Sequence, residues 1–375
     1  MRMRVVAVID RYLLAEIVTP SLAALALLFQ LMIALQLLRR VDVLLGSGVT
    51  SDDLLIMLWN LTPHYLVLAL PIAFLIGTLI GLGRLSEDGE VEALLGCAGI
   101  NPLRLAVAPA VLGAVVSAFV FALVLGPESE GLLAVRQQMD RLLKLEVQRN
   151  VHPGIFYDEV TGLTLFTESI NPQTGQWRHV LVNDERDPRA PLLILATDGV
   201  IDAEAGEGAL KLRLGSGQAH RQDPNARDYF ALGFESCILT IGVEDSILRK
   251  NSLRSPEDES APGALLRQVR EAKANHGNWR RPATVLQRKL GMGLGVLAFV
   301  WLGVPLALSP AGAQAARARG YLYAIAAVLA YFVLQRIGTT WGIEGRVPPW
   351  FAGELPNILF LASGSVAWRA VVWRV

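Results

Sequence analysis

Four carboxylates crowd into the stretch "RLSEDGEVEALLGCAGINPLR", residues 84–104: Glu87, Asp88, Glu90 and Glu92. What they can do depends on what else the chain offers. Catalysis finds no support, because GxSxG and HExxH do not occur and the five histidines are scattered. No GxxxxGK[ST] phosphate loop occurs either. Cys97 and Cys237 lie in unlike contexts and give neither a disulfide framework nor metal-ligand spacing. The chemistry left to the acids is electrostatic: an acidic loop kept in water, or an acidic segment that meets a basic groove on another molecule.

The elements that position this segment are membrane spans. The chain has 375 residues, 53% hydrophobic and 18% charged, with mean hydropathy +0.41, too apolar for an ordinary soluble domain. Lys+Arg and Asp+Glu balance at 34 each without a dense basic tract, so nothing points to nucleic acid. Residues 17–38, 54–83 and 105–126 contain no Asp, Glu, Lys or Arg, and each reaches the roughly 20 residues that cross a bilayer as a helix. The N-terminus has basic residues before its apolar run, but the run is too long for a signal peptide and lacks a small-residue cleavage site, which predicts a retained first span. Greasy runs resume at 290–316, 320–341 and 350–371.

Between the two sets the texture changes. From 127 to about 250 the sequence is polar and turn-rich, with alternating stretches such as "LTLFTES", "LLILATDG" and "ALKLRLGSG". Period-two patterning predicts strands. The expected architecture is a membrane α-helical protein of six transmembrane helices with an inserted extracytoplasmic all-β domain. Its parts are spans one to three in 1–126, the β domain in 127–250, a connector with a short helix in 251–283, and spans four to six in 284–375. One face of the membrane gathers Arg2, Arg4, Arg11, Arg84, Arg104, Arg317, Arg319, Arg369 and Arg374; the other has Arg39, Arg40, Arg336 and Arg346. The first face is predicted cytoplasmic, with both termini and the acidic segment on it.

The segment itself reads as a short helix over about 85–99. Ser86 can cap its start, Glu87 and Asp88 suit the positive end of the helix dipole, and Gly99 suits its end. Asn101-Pro102 then supplies a cap and first-turn proline for the third span. Val91, Leu94, Leu95 and Ala98 share one face, an apolar stripe with acidic neighbours. Such a surface is poorly suited to anionic headgroups and better suited to a basic groove on a soluble protein.

Three stretches then carry a resemblance. "GLGRLSEDGEVEALLGCAGINPLR" looks like the coupling-helix region of the LptF/LptG family of lipopolysaccharide export permeases. "NWRRPATVLQRKLGMGLGVLAFVWLGVPLALSPAGAQAARARGYLYAI" resembles that family's fourth span and the loop into its fifth. "GPESEGLLAVRQQMD" followed by "GIFYDEVTGLTLFTESI" is similar to its passage into a periplasmic β-jellyroll. The opening "DRYLLAEIVTP" fits as well, so the resemblance covers essentially the whole chain. "GVPLALSPAGAQ" leans towards LptF and "GIEGRVPPWFAGELPNILF" at least as much towards LptG, with LptF slightly favoured.

The resemblance implies a permease in the cell inner membrane that pairs with a sibling permease around lipopolysaccharide. A cytoplasmic LptB-like ATPase dimer would grip the coupling helices, and LptC/LptA-like proteins would receive the lipid. No cofactor would be bound by this chain, with ATP and Mg held by the partner. Relatives carry a carboxylate about eight residues before the glycine matching Gly99, a spacing that here falls on Val91. The ATPase-coupling residues are therefore expected among Glu87, Glu90, Val91, Glu92, Leu94 and Leu95. Arg39, Arg40 and Arg336 are expected to bind lipid phosphate, where Arg offers bidentate pairing. Against this stand interfacial anchoring for Arg39 and Arg40, and pairing with Glu344 or Glu354 for Arg336. His64, beside Pro63 in the second span, reads as a hydrogen-bonded packing residue. The competing overall reading is a membrane-anchored periplasmic scaffold without transport activity.

Overall fold

The apolar runs fold as helices that are long and apolar enough to cross a membrane, six of them among the described residues: Val8–Leu38, Ser51–Glu87, Pro102–Gln138, Arg280–Ala307, Leu322–Glu344 and Pro349–Val372. The structure is a computed structural model that describes residues 2–38, 50–97, 99–150, 152–160, 162–171, 173–185, 191–202, 209–222, 229–242, 256–275, 277–308 and 313–372. Its helices are α1 (Arg2–Leu38), α2 (Ser51–Glu87), α3 (Glu90–Glu92), α4 (Pro102–Leu105), α5 (Val107–Leu125) and α6 (Pro127–Asn150) before the strands. After them come α7 (Pro256–Glu259), α8 (Pro262–Ala274), α9 (Arg280–Ala307), α10 (Ala313–Glu344) and α11 (Pro349–Val372).

The chain divides into two compact units, one of Met1–Arg39, Leu58–Leu133 and Pro256–Val375, the other of Arg40–Met57 and Ala134–Ser255. The first is the helical bundle. In lipid, helices gain little from hiding apolar surface from one another, so close packing through small residues does more of the work. Aromatic rings of Phe299, Tyr331 and Phe360 meet edge-on or tilted at its centre, with centroids 4.8–5.6 Å apart. The spacing of Gly77 and Gly81 serves contacts within the chain: a Cβ on Gly77 would strike Ser21, and one on Gly81 the carbonyl of Glu16. Gly291 likewise lies against the Gly353 carbonyl, and Gly295 against Tyr331.

The contact at Gly81 has a sequence cause. Pro20 lies inside α1 and has no N–H to bond the carbonyl four residues back, which is that of Glu16. The freed oxygen packs on the bare Cα of Gly81, a position suited to a weak C–H···O contact. Gly81→Ala is expected to force α1 off α2 and cost about 1–3 kcal/mol. A lower midpoint of thermal unfolding in detergent, with helix content unchanged, checks it.

The second unit is an antiparallel sheet of eight strands, β1 (Tyr157–Val160), β2 (Leu163–Ile170), β3 (Gln176–Asp184), β4 (Leu192–Asp202), β5 (Ala209–Leu214), β6 (Gly217–Gln222), β7 (Tyr229–Phe234) and β8 (Cys237–Gly242). The order β1-β2-β3-β4-β5-β8 forks at β4, the longest strand. Its first half pairs with β6, as in Ile194 opposite Ala219, and its second half with β5, as in Ile201 opposite Leu212. Alternation buries Leu163 and Leu165, Val180 and Val182, Ile194 and Ala196, and Leu212 and Leu214 in one core with Trp177. The start of α2 lies in this unit, where Thr50 and Asp53 cap each other reciprocally: Thr50 N donates to Asp53 Oδ2 at 3.1 Å and Asp53 N to Thr50 Oγ1 at 3.3 Å.

One element differs from the expectation of strands from residue 127 onward. The chain stays helical through α6, and strands begin only at Tyr157. Gly126, with φ −148° and ψ −66°, breaks α5, and Pro127 restarts a helix with Glu128 and Glu130 in its first turn. Leu132, Val135, Met139, Leu142 and Leu143 recur at helical spacing, a signal hidden by the high charge of the segment.

Candidate functional site

The acidic segment begins later than its sequence suggests. Leu85 is 2% exposed, and this burial holds Ser86 and Glu87 in the last turn of α2 instead of at a new helix start. The break comes at Gly89, whose φ of 73° is a left-handed conformation that glycine adopts without steric cost. The short α3 follows and widens into a π-helical turn, Ala93–Cys97. Gly99, at φ 61°, ends the excursion. Asn101 Oδ1 then accepts from Leu103 N at 2.9 Å with Pro102 at the first helical position, as the sequence suggested.

Within the segment Val91, Leu94 and Leu95 of the apolar stripe turn inward, while Ala98 lies outside the described residues. Val91 is 4% exposed and joins the bundle core, with Leu94 and Leu95 packed partly buried against it. The opposite side is open, with Glu92, Ala93, Gly96 and Cys97 exposed. Glu87 and Glu90 are half-buried. Glu90 is engaged by α1: Tyr12 Oη donates to Glu90 Oε2 at 2.9 Å, with Oε1 at 3.2 Å. Beyond the segment, Arg104 Nη2 lies 2.6 Å from Asp10 Oδ2. Before it, Arg84 reaches Glu16 at 3.7 Å and Asp88 at 3.8 Å. Sequence reasoning gave Tyr12 and Asp10 no role, because their partners lie 78 and 94 positions away.

A family model described as lipopolysaccharide export system permease LptF/LptG matches residues 11–370. The chain belongs to the LptF/LptG family. The model is a joint one for the two siblings, and it spans all six helices and the sheet between them. No curated protein matches the chain. Members of this family are permeases, and six spans make this one a multi-pass inner-membrane protein.

The cationic candidates fall in different places. Arg39 and Arg40 lie outside the described residues. Arg336 is exposed on α10, and its carbonyl accepts from Thr340 Oγ1 at 3.0 Å. Neither expected acid pairs with it. Glu344 takes Arg346 at 2.7 Å, and Glu354 accepts from Asn357 Nδ2 at 2.6 Å. Two helical turns separate Arg336 from Glu344, about 12 Å along the axis, too far for an ion pair.

A polar cluster that sequence reasoning did not assemble lies where α2, α6, α7 and α9 meet. His64 Nδ1 is 2.8 Å from Glu128 Oε1, which gives the expected packing histidine its partner. Lys289, 2% exposed, donates to Ser129 Oγ at 3.2 Å and Ser260 O at 3.0 Å. Next to it Arg288 pairs with Asp258. A lysine one residue ahead of a greasy run, and "PESE" directly after another, were the available signals.

Proposed function

We propose that this permease pairs with a sibling, extracts lipopolysaccharide from the inner membrane and passes it to a periplasmic bridge, driven by ATP hydrolysis in a separate nucleotide-binding subunit. The observation that carries the coupling is the short segment 90–97, buried on one side through Val91 and open on the other through Glu92. It is built to stay fixed to the bundle while presenting charge to a soluble partner. With no phosphate loop in the sequence, ATP and Mg belong to that partner, an LptB-like dimer. In this reading the arginine-rich face is cytoplasmic, the termini lie there, and the β domain stands in the periplasm beside LptC/LptA-like proteins. Arg39, Arg40 and Arg336 meet the lipid's phosphates. Retained photocrosslinking of lipopolysaccharide to an Arg39→Ala/Arg40→Ala double variant would remove the first two from that role.

The deciding experiment is purification of the tagged chain in mild detergent with partners identified by mass spectrometry. A nucleotide-binding subunit and a second six-span protein are expected; the chain alone, under conditions that keep other membrane complexes whole, would favour the scaffold reading. Glu92→Lys is the sharper variant, since it places like charge against the basic groove. The affinity for the ATPase is expected to fall by roughly a hundredfold or more, the equivalent of the several kcal/mol that such juxtapositions cost.

A further inference from the structure

We infer that Tyr12, supported by Asp10, makes the coupling segment and the first half of α1 one mechanical body, so that ATP-driven displacement of the segment is delivered to the rest of α1. The inference deepens the function proposed above and rests on it.

The geometry is specific. Three polar ties run from α1 to the coupling region: Glu16 to Arg84 before the segment, Tyr12 to Glu90 within it, and Asp10 to Arg104 after it. Their α1 ends lie within two helical turns. On the same stretch Leu13 and Ile17 are buried, at 2% and 0% exposure, and Glu16 and Ser21 abut the bare backbone of Gly81 and Gly77. Beyond Ser21 the character reverses: Leu22, Leu27, Leu31, Leu35 and Leu38 are all exposed. Pro20, which removes a helix hydrogen bond, sits at the boundary. α1 is thus seized at one end by the coupling segment and carries a long apolar surface at the other.

The ties are unequal. Arg84 to Glu16 is long and its arginine is well exposed, which makes it weak. The phenol hydroxyl bonds a carboxylate, a charge-assisted contact and the stronger kind. Removing it leaves Val91, Leu94 and Leu95 to hold the segment in place. Tyr12 is therefore a positioning residue that acts through Glu90, and Tyr12→Phe separates transmission from folding.

The test uses the whole complex in phospholipid vesicles containing lipopolysaccharide, with genetically encoded spin-label amino acids at positions 31 on α1 and 361 on α11, so that Cys97 and Cys237 stay in place. The distance between labels is compared with and without vanadate-trapped ATP. In the parent complex α1 is expected to shift. In Tyr12→Phe/Asp10→Asn the shift should fall below half while ATP hydrolysis stays within about twofold, as for other surface changes. Tyr12→Lys, which restores a donor to Glu90, should recover the shift. A structural role alone would lower yield, hydrolysis and shift together, and that outcome, or an undiminished shift in the double variant, overturns the inference. So does a parent complex that hydrolyses ATP with α1 still. A parent preparation without any nucleotide-binding subunit instead overturns the function on which the inference rests.

Discussion

Lys289→Met is expected to destabilise the membrane bundle by about 3–5 kcal/mol, the cost of breaking a buried ionic group by removing one partner. Lys289 is 2% exposed and Glu128 3%. The ammonium donates to Ser129 and to the Ser260 carbonyl. Glu128 Oε1 meets His64, while its Oε2 is buried without a hydrogen-bond partner among the described residues. Without the lysine, the buried carboxylate of Glu128, next in sequence to the Ser129 that the ammonium bonds, loses a neighbouring positive charge in a medium where an uncompensated charge is expensive. The readout is the midpoint of thermal unfolding, followed by recovery of monodisperse protein in mild detergent. Pairing the change with Glu128→Gln decides the cause. If uncompensated charge is responsible, the double variant regains most of the loss; if it is no more stable than the single, lost packing is the reason and the electrostatic account fails.

Contacts of this kind mark the boundary of what the sequence made legible. The six spans could be read because a bilayer demands about 20 apolar residues per helix whatever the rest of the chain does. The strands could be read because the sheet alternates, as in Leu163 and Leu165 or Leu212 and Leu214. Gly99, Asn101 and Pro102 also announced their roles, since backbone geometry at a helix end is a local matter. Tyr12 and Glu90 are 78 positions apart, and Lys289 and Ser129 160; no local rule links such pairs. The helix α6 was masked by its charges. Val91 was seen to be apolar, but whether an apolar stripe faces its own protein or a partner depends on the roll of a short helix, which the turn at Gly89 sets.

That roll makes Val91→Asp the second large effect. Val91 belongs to the bundle core at 4% exposure, so a carboxylate there must either be buried, at several kcal/mol, or drag the segment out of its seat. The spans do not depend on it, and the segment is short and bounded by Gly89 and Gly99, both at positive φ. The second course is therefore the cheaper one. Amide exchange across 89–100 is expected to quicken sharply while exchange in α2 and α9 stays slow. If the segment couples to an ATPase as proposed, the ATPase recovered with the complex should fall as is expected for Glu92→Lys, although Val91 faces the bundle core. Val91→Ala removes only methyl groups and should cost about 2 kcal/mol or less, leaving the segment seated and the partner bound. If Val91→Asp retains both slow exchange and the ATPase, the segment is not anchored through this residue. Loss of the ATPase in Val91→Ala with exchange unchanged would mean that Val91 itself meets the partner.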